Sequence, residues 1–186
     1  MTGVYSTGQQ GIVKVKMLSL PDALISFSKQ VTRMLDGVMI ARPFIKATQE
    51  ILATMAGLSS TAGAPFVKKS NIAKGDVSAI VGVTGDKTGT IAVSFTRSCA
   101  LALVKGMLGD DIQDILQDTQ DAVGEVTNMV SGQARAALVE MGLTLQGSTP
   151  TVIMGEGHLI RHISANPVVA IPFTTDYGGF TVEFCF

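Results

Sequence analysis

The spacing of apolar residues changes along the chain from helical to strand-like, and the changes divide it into elements. Between Ser19 and Leu35, Leu20, Ala23, Leu24, Phe27, Val31, Met34 and Leu35 recur at helical intervals, with Lys29 and Arg33 on the other side. This predicts an amphipathic helix that packs on its own domain or on a partner subunit, because two or three basic residues are too few for a membrane-surface helix. Pro43 fits the first turn of a second helix, Phe44 to Gly57, which the glycine would close. SSTAGAP (59–65) reads as a loop. VSAIVGVTG (77–85) and GTIAVSF (89–95) are β-rich and joined by GDKTG, which predicts a hairpin. SCALALVKGMLG (98–109) is a helix with a glycine stop. Residues 110–142 are acidic at their start and helical in period, as one long helix or a short one followed by a second. From 143 to the end the chain reads as strand and turn, with β-branched and aromatic runs at 150–164, 167–176 and 178–186.

Helix, hairpin, two helices and a run of strands predict an α+β domain, helices packed on a largely antiparallel sheet. Helix followed by strands recurs in the two halves, which points to an internal duplication. Ahead of this domain, residues 1–10 are small, polar and expected to be disordered, and VKVKML (13–18) is a short candidate strand.

Within the long helical stretch, DAVGEVTNMVSG (121–132) carries an unusual stripe. Asp121, Glu125, Asn128 and Gly132 fall within about 60° of one another on a helical wheel, with Arg135 just beyond. Val123, Val126, Val130, Ala134, Ala137, Leu138 and Met141 occupy the opposite side, so the stripe is expected to face outward. Met129, Ala136 and Val139 flank it as apolar residues on a surface that does not need them. Gly132 stands where a helix prefers Ala by about 1 kcal/mol, and its missing side chain lets another body come close. On periodicity alone, a solvated helix face is the favoured account of the stripe.

Other candidates are weaker. His158 and His162 have an i,i+4 metal-like spacing, but in a strand-like region, where that spacing does not bring them together; solvated histidines are expected. Gly82, Gly85 and Gly89 fit a hairpin rather than a phosphate loop. Asp110, Asp111, Asp114 and Asp118 lack a calcium-loop pattern and read as helix-start acids. Cys99 is expected to be buried. With Cys185 it makes only two cysteines, too few for a disulfide framework or a metal knuckle, so reduced thiols in the cytoplasm are expected. The 186 residues suffice for one ordinary domain, and a formal net charge of −1 excludes electrostatic steering toward nucleic acid. No apolar run approaches the roughly 18 residues of a membrane span.

DAVGEVTNMVSG resembles the Asp/Ser-x-x-x-Glu-x-x-Asn signature of the CheC/CheX/FliY phosphatases of bacterial chemotaxis, with Asp121, Glu125 and Asn128 filling it. PFIKATQEILATMAG (43–57), GDVSAIVGVTGDKTGTIAVSF (75–95), SCALALVKGMLG (98–109), PTVIMG (150–155) and VVAIPFTTDYGGFTVEF (168–184) resemble other blocks of CheX in the same order. The likeness covers about residues 40–186 and leaves 1–39 as an N-terminal extension. CheC-type members carry the signature twice. Here the first helix keeps Glu50 but has Ala53 where the amide would stand, which resembles CheX with its single active helix.

The resemblance implies three helices against a six-stranded sheet and a homodimer paired through sheet edges. It also implies a phosphatase acting on the aspartyl phosphate of a CheY-like receiver domain. Glu125 would pair with the receiver's active-site Lys and Asn128 would orient the attacking water. Asp121, Met129 and Gly132 would contact the partner. No cofactor of the chain's own is implied, since Mg²⁺ comes with the phosphorylated receiver. The competing expectation is a non-catalytic module that docks on a receiver or on the flagellar switch.

Overall fold

The computed structural model describes residues 22–186 apart from 110, 112 and 113, with side chains from residue 39 onward. The expected strand at 13–18 and the disordered start lie outside the described residues, as does the packing of the helical face before residue 39. The chain forms two compact units, Met1–Asp36 and Gly37–Phe186. The elements are α1 (Asp22–Ala56), β1 (Thr61–Ala62), β2 (Phe66–Lys68), β3 (Val77–Gly85), β4 (Gly89–Phe95), α2 (Arg97–Leu108), α3 (Ile115–Glu140), β5 (Leu145–Gly147), β6 (Thr151–Met154), β7 (Val168–Thr175) and β8 (Gly178–Cys185).

The two helices expected around Pro43 are one helix, with the proline inside it. A proline there cannot donate to the carbonyl of Met39, one turn earlier. That loss is tolerated because Met39 is exposed, so water can serve its carbonyl, and because burial of Ala41, Phe44 and Ala47 holds the helix on either side. Phe44 also stacks on Phe184 at 4.7 Å between ring centroids.

The acidic stretch resolves into one long helix rather than two. Asp114 caps α3, accepting from the backbone N–H of Leu116 (2.9 Å) and Gln117 (3.3 Å), while Asp118 accepts from the N–H of Asp114 (3.0 Å). This reciprocal arrangement satisfies donors that a helix start leaves free. At the far end the N–H of Leu143 reaches the carbonyl of Leu138 across Gly142, whose φ is 78°.

The helices pack on an antiparallel sheet ordered β1-β7-β8-β4-β3-β5, with β2 also on β7 and β6 also on β3. The sheet thus has eight strands where six were expected. The reason is that each edge is broken: β1 and β2 share one flank of β7, and β5 and β6 share one flank of β3. Eight strands fill six columns. The loop expected at 59–65 supplies β1, and 150–164 is a strand only at Thr151–Met154. Helix, two short edge strands and hairpin occur twice, as α1–β1–β2–β3–β4 and α3–β5–β6–β7–β8, and β4 meets β8 at the centre. The duplication expected from the sequence has this structural counterpart.

The central strands are covered on both faces. Ile91, Val93 and Phe95 of β4 and Phe180, Val182 and Phe184 of β8 join the main core, and Phe95, Phe180 and Phe173 stack across three adjacent strands. On the other face Ala92 packs with Ala73, Ile160 and Ile80 under the loop that follows β6.

Candidate functional site

The stripe on α3 lies where its spacing placed it. Val123, Val126, Val130, Ala134 and Leu138 are fully buried against the sheet, which fixes the rotation of the helix, while Asp121, Glu125 and Asn128 are exposed. Ala137 and Met141 depart from the expected core arc: Ala137 is half-buried beside α1, and Met141 is exposed because the helix ends there.

Asp121 is steadied by Gln117, whose Nε2 donates to its Oδ1 at 2.9 Å. Glu125 and Asn128 have no hydrogen-bond or ion-pair partner among the described residues, and both are free to meet a ligand. Met129 is half-buried and leans on the core, so only part of it can touch a partner. Gly132 is half-buried, and a Cβ there would meet only the Arg135 guanidinium, at 3.9 Å. The arrangement presents one carboxylate and one amide, a turn apart, on a helix whose other side is immobilised in the core.

Two supports for this helix were not read from the sequence. Arg135 donates to Ser131 Oγ (3.2 Å) and to the carbonyl of Leu145 (3.3 Å), tying α3 to β5. Gly147 leaves room for it, since a Cβ there would come within 2.8 Å of the guanidinium carbon. On the other side Gln133 donates to the Glu50 carboxylate of α1. The groove beyond that contact is lined by earlier residues of α1 and later residues of α3, so the two helices run antiparallel. Ala53, at the position where a second signature would have its amide, is exposed.

The expectation of solvated histidines is overturned. His158 and His162 lie in the loop between β6 and β7, and both rings turn down onto the sheet. His158 donates from Nδ1 to the carbonyl of Gly155 at 2.6 Å, and its Nε2 meets Ser78 Oγ at 2.7 Å. The His162 side chain is only 4% exposed, with Nδ1 at 2.5 Å from Thr90 Oγ1 and Nε2 at 3.4 Å from Glu183. Glu183 is fully buried and also pairs with Lys68 at 2.5 Å. The partners are distant in sequence, so no local pattern announces them. Among the described residues no three His, Cys, Asp or Glu side chains gather as a metal site. Both cysteines are buried, and loss of solvent pushes each thiol above its ordinary pKa.

Residues 77–174 match the family model described as chemotaxis phosphatase CheX. The CheY-P phosphatase CheX of Thermotoga maritima is 26% identical over 123 residues, covering 66% of this chain and 79% of that one. The crystal structure of a chemotaxis protein CheX from Desulfovibrio desulfuricans is 66% identical, with a TM-score of 0.76 over 80% of this chain and 99% of that one. A CheX–CheY–BeF₃–Mg²⁺ complex from Borrelia burgdorferi shares the fold at 22% identity, with a TM-score of 0.67 over 80% of this chain and 97% of that one. No helix among the described residues is long and apolar enough to cross a membrane.

Proposed function

The chain belongs to the CheX family of chemotaxis phosphatases, and from that premise we propose that it hydrolyses the aspartyl phosphate of a CheY-like receiver domain in the cytoplasm, with Asn128 and Glu125 as the residues that act. The observation that carries this reading is the pair itself: an exposed acid and an exposed amide without partners, a turn apart, on a helix anchored by a fully buried face.

The chemistry suits these residue types. An acyl phosphate held with Mg²⁺ by the receiver's own acids already has its charge neutralised, so positioning the water is what remains to be supplied. The Asn128 amide accepts and donates, which lets it hold a water in line with the phosphorus without adding negative charge beside the phosphoryl group. It takes no proton and is not a general base. Glu125 pairs with the receiver's active-site Lys and sets the register, while Asp121, Met129 and Gly132 form the surrounding contact. Mg²⁺ belongs to the receiver in this scheme, and the phosphatase brings no cofactor.

The proposed assembly is a homodimer paired through sheet edges. The β2 edge exposes Phe66 and Val67, which an edge strand open to solvent normally avoids. Sedimentation of the intact chain tests this, and a monomer at all concentrations would overturn it.

The central test is loss of phosphate from a phosphorylated CheY-type receiver with Mg²⁺ present, comparing no addition, wild type and Asn128→Ala. Acceleration by wild type alone is expected. Equal acceleration by both proteins removes Asn128 from the reaction. Acceleration by neither, across several receivers, leaves a binding module.

A further inference from the structure

The stripe continues past the two reactive residues, and its character changes. Glu125 and Asn128 are polar, but Gly132, Ala136 and Val139 continue the same side of α3 without a polar atom in any side chain, and Val139 is 52% exposed. Beside them a groove of about 300 Å³ opens between α1 and α3. Pro43, Ala47, Ala136 and Ala137 give it an apolar lining, and Lys46, Gln133 and Glu140 complete it. Small residues on both helices keep it open.

A stable interface covers about 800 Å² on each partner, far more than two side chains supply. A partner centred on Asn128 must therefore extend along α3 in one direction or the other. Beyond Asp121 toward the helix start it meets Asp118 and Asp114, further negative charge unsuited to a receiver site built of acids and phosphate. Toward the helix end it meets the apolar stretch and the groove. Val139 is about 16 Å from Asn128 along the axis, within reach of a domain whose radius of gyration is about 13 Å. Lys46 is already paired with Glu50 at 3.7 Å, and Pro43, Ala47, Ala136 and Ala137 offer no polar side-chain atom, so the groove suits an apolar side chain rather than an ion.

We propose that the groove between α1 and α3, with Val139 beside it, is a second contact for the receiver and takes an apolar side chain from its surface when Asn128 enters the phosphorylation site. This rests on the receiver-phosphatase reading and adds where its affinity comes from. Asn128 sets the rate at saturation, while the groove, together with Glu125, sets the concentration at which saturation is reached.

The test is phosphate release measured against the concentration of phosphorylated receiver, for wild type, Ala136→Trp and Val139→Asp. Ala136 and Val139 are both exposed, so neither variant disturbs the core, and melting curves check this. A rise of about tenfold or more in the half-saturating concentration, with an unchanged saturating rate, is expected from both. Unchanged half-saturation in both variants, whatever their saturating rate, overturns the groove while leaving the phosphatase reading intact. A wild-type protein inert toward every receiver overturns that reading itself, and the groove with it.

Discussion

The Glu50 carboxylate of α1 accepts a hydrogen bond from Gln133 of α3, so the acid that the first helix keeps from a second signature is engaged in joining the two helices. Lys46 lies 3.7 Å from the same carboxylate. One half of the duplicated plan leaves its acid unpaired, and the other ties its acid, still half exposed, to the neighbouring helix. Restoring the missing amide alone is then insufficient. Ala53→Asn in an Asn128→Ala background is expected to recover no phosphatase activity, and recovery toward the wild-type rate would show that Glu50 remains available.

Shape and charge at position 128 are separable. Asn128→Asp keeps the size of the side chain but places a carboxylate beside the phosphoryl group. A loss of about 10²-fold or more in saturating rate is expected, comparable to removal of one preorganised polar group from an active site. Glu125→Ala is expected to raise the half-saturating receiver concentration by about tenfold and also to lower the rate. A single-turnover assay with excess phosphatase separates the two effects.

Two glycines make opposite predictions. A Cβ on Gly106 would lie 2.1 Å from the Ala56 carbonyl oxygen, so α2 must lift off α1. Gly106→Ala is expected to destabilise by about 1–3 kcal/mol despite its better helix propensity, because a backbone oxygen cannot yield. Gly132 has open space around it, so Gly132→Ala is expected to stabilise by about 0.5–1 kcal/mol and to weaken receiver affinity. Urea titration and the phosphatase assay check both.

Lys68 and Glu183 form a pair with almost no solvent contact, at 3% and 0% side-chain exposure. Removing the cation strands a carboxylate at the centre of the sheet, where the His162 ring is its other side-chain neighbour. Lys68→Ala is expected to cost about 3–5 kcal/mol, and Lys68→Met with Glu183→Leu much less, by the same urea titration.

Burial favours the neutral thiol at Cys99 and Cys185, which raises each pKa and lowers the thiolate fraction near neutral pH. Neither is expected to react with a thiol reagent at pH 8 in the folded protein, and both in urea. Rapid labelling of the native protein at that pH would contradict this.

What the sequence made legible was whatever rests on local spacing. The β3–β4 hairpin, α2, the outward stripe and the buried face of α3 all follow from periodicity and glycine stops within a dozen or two residues. The unbroken α1 did not, because Pro43 carries the same local signal at a helix start as inside one. Edge strands of two or three residues, β1, β2 and β5, are too short to show any alternation. The His162–Glu183 and Glu50–Gln133 contacts join residues 21 and 83 positions apart, and only the folded tertiary structure brings them together. The pair proposed to act, Glu125 and Asn128, was legible through resemblance, since its spacing alone fits an ordinary solvated helix.

The exchange of edge strands between the two halves has a consequence for how the protein assembles. β1 and β2 complete the hairpin of the second half, and β5 and β6 complete that of the first. Neither half can close its own sheet, so a chain divided between α2 and α3 yields fragments with bare flanks that fold only by complementing each other. In the intact chain those pairings bridge long stretches of sequence, which makes loop closure the slow step and folding slower than in a helical bundle of this size. The signature helix packs its core face on β3, β5 and β6, so its seat is complete only when that flank of the sheet has formed.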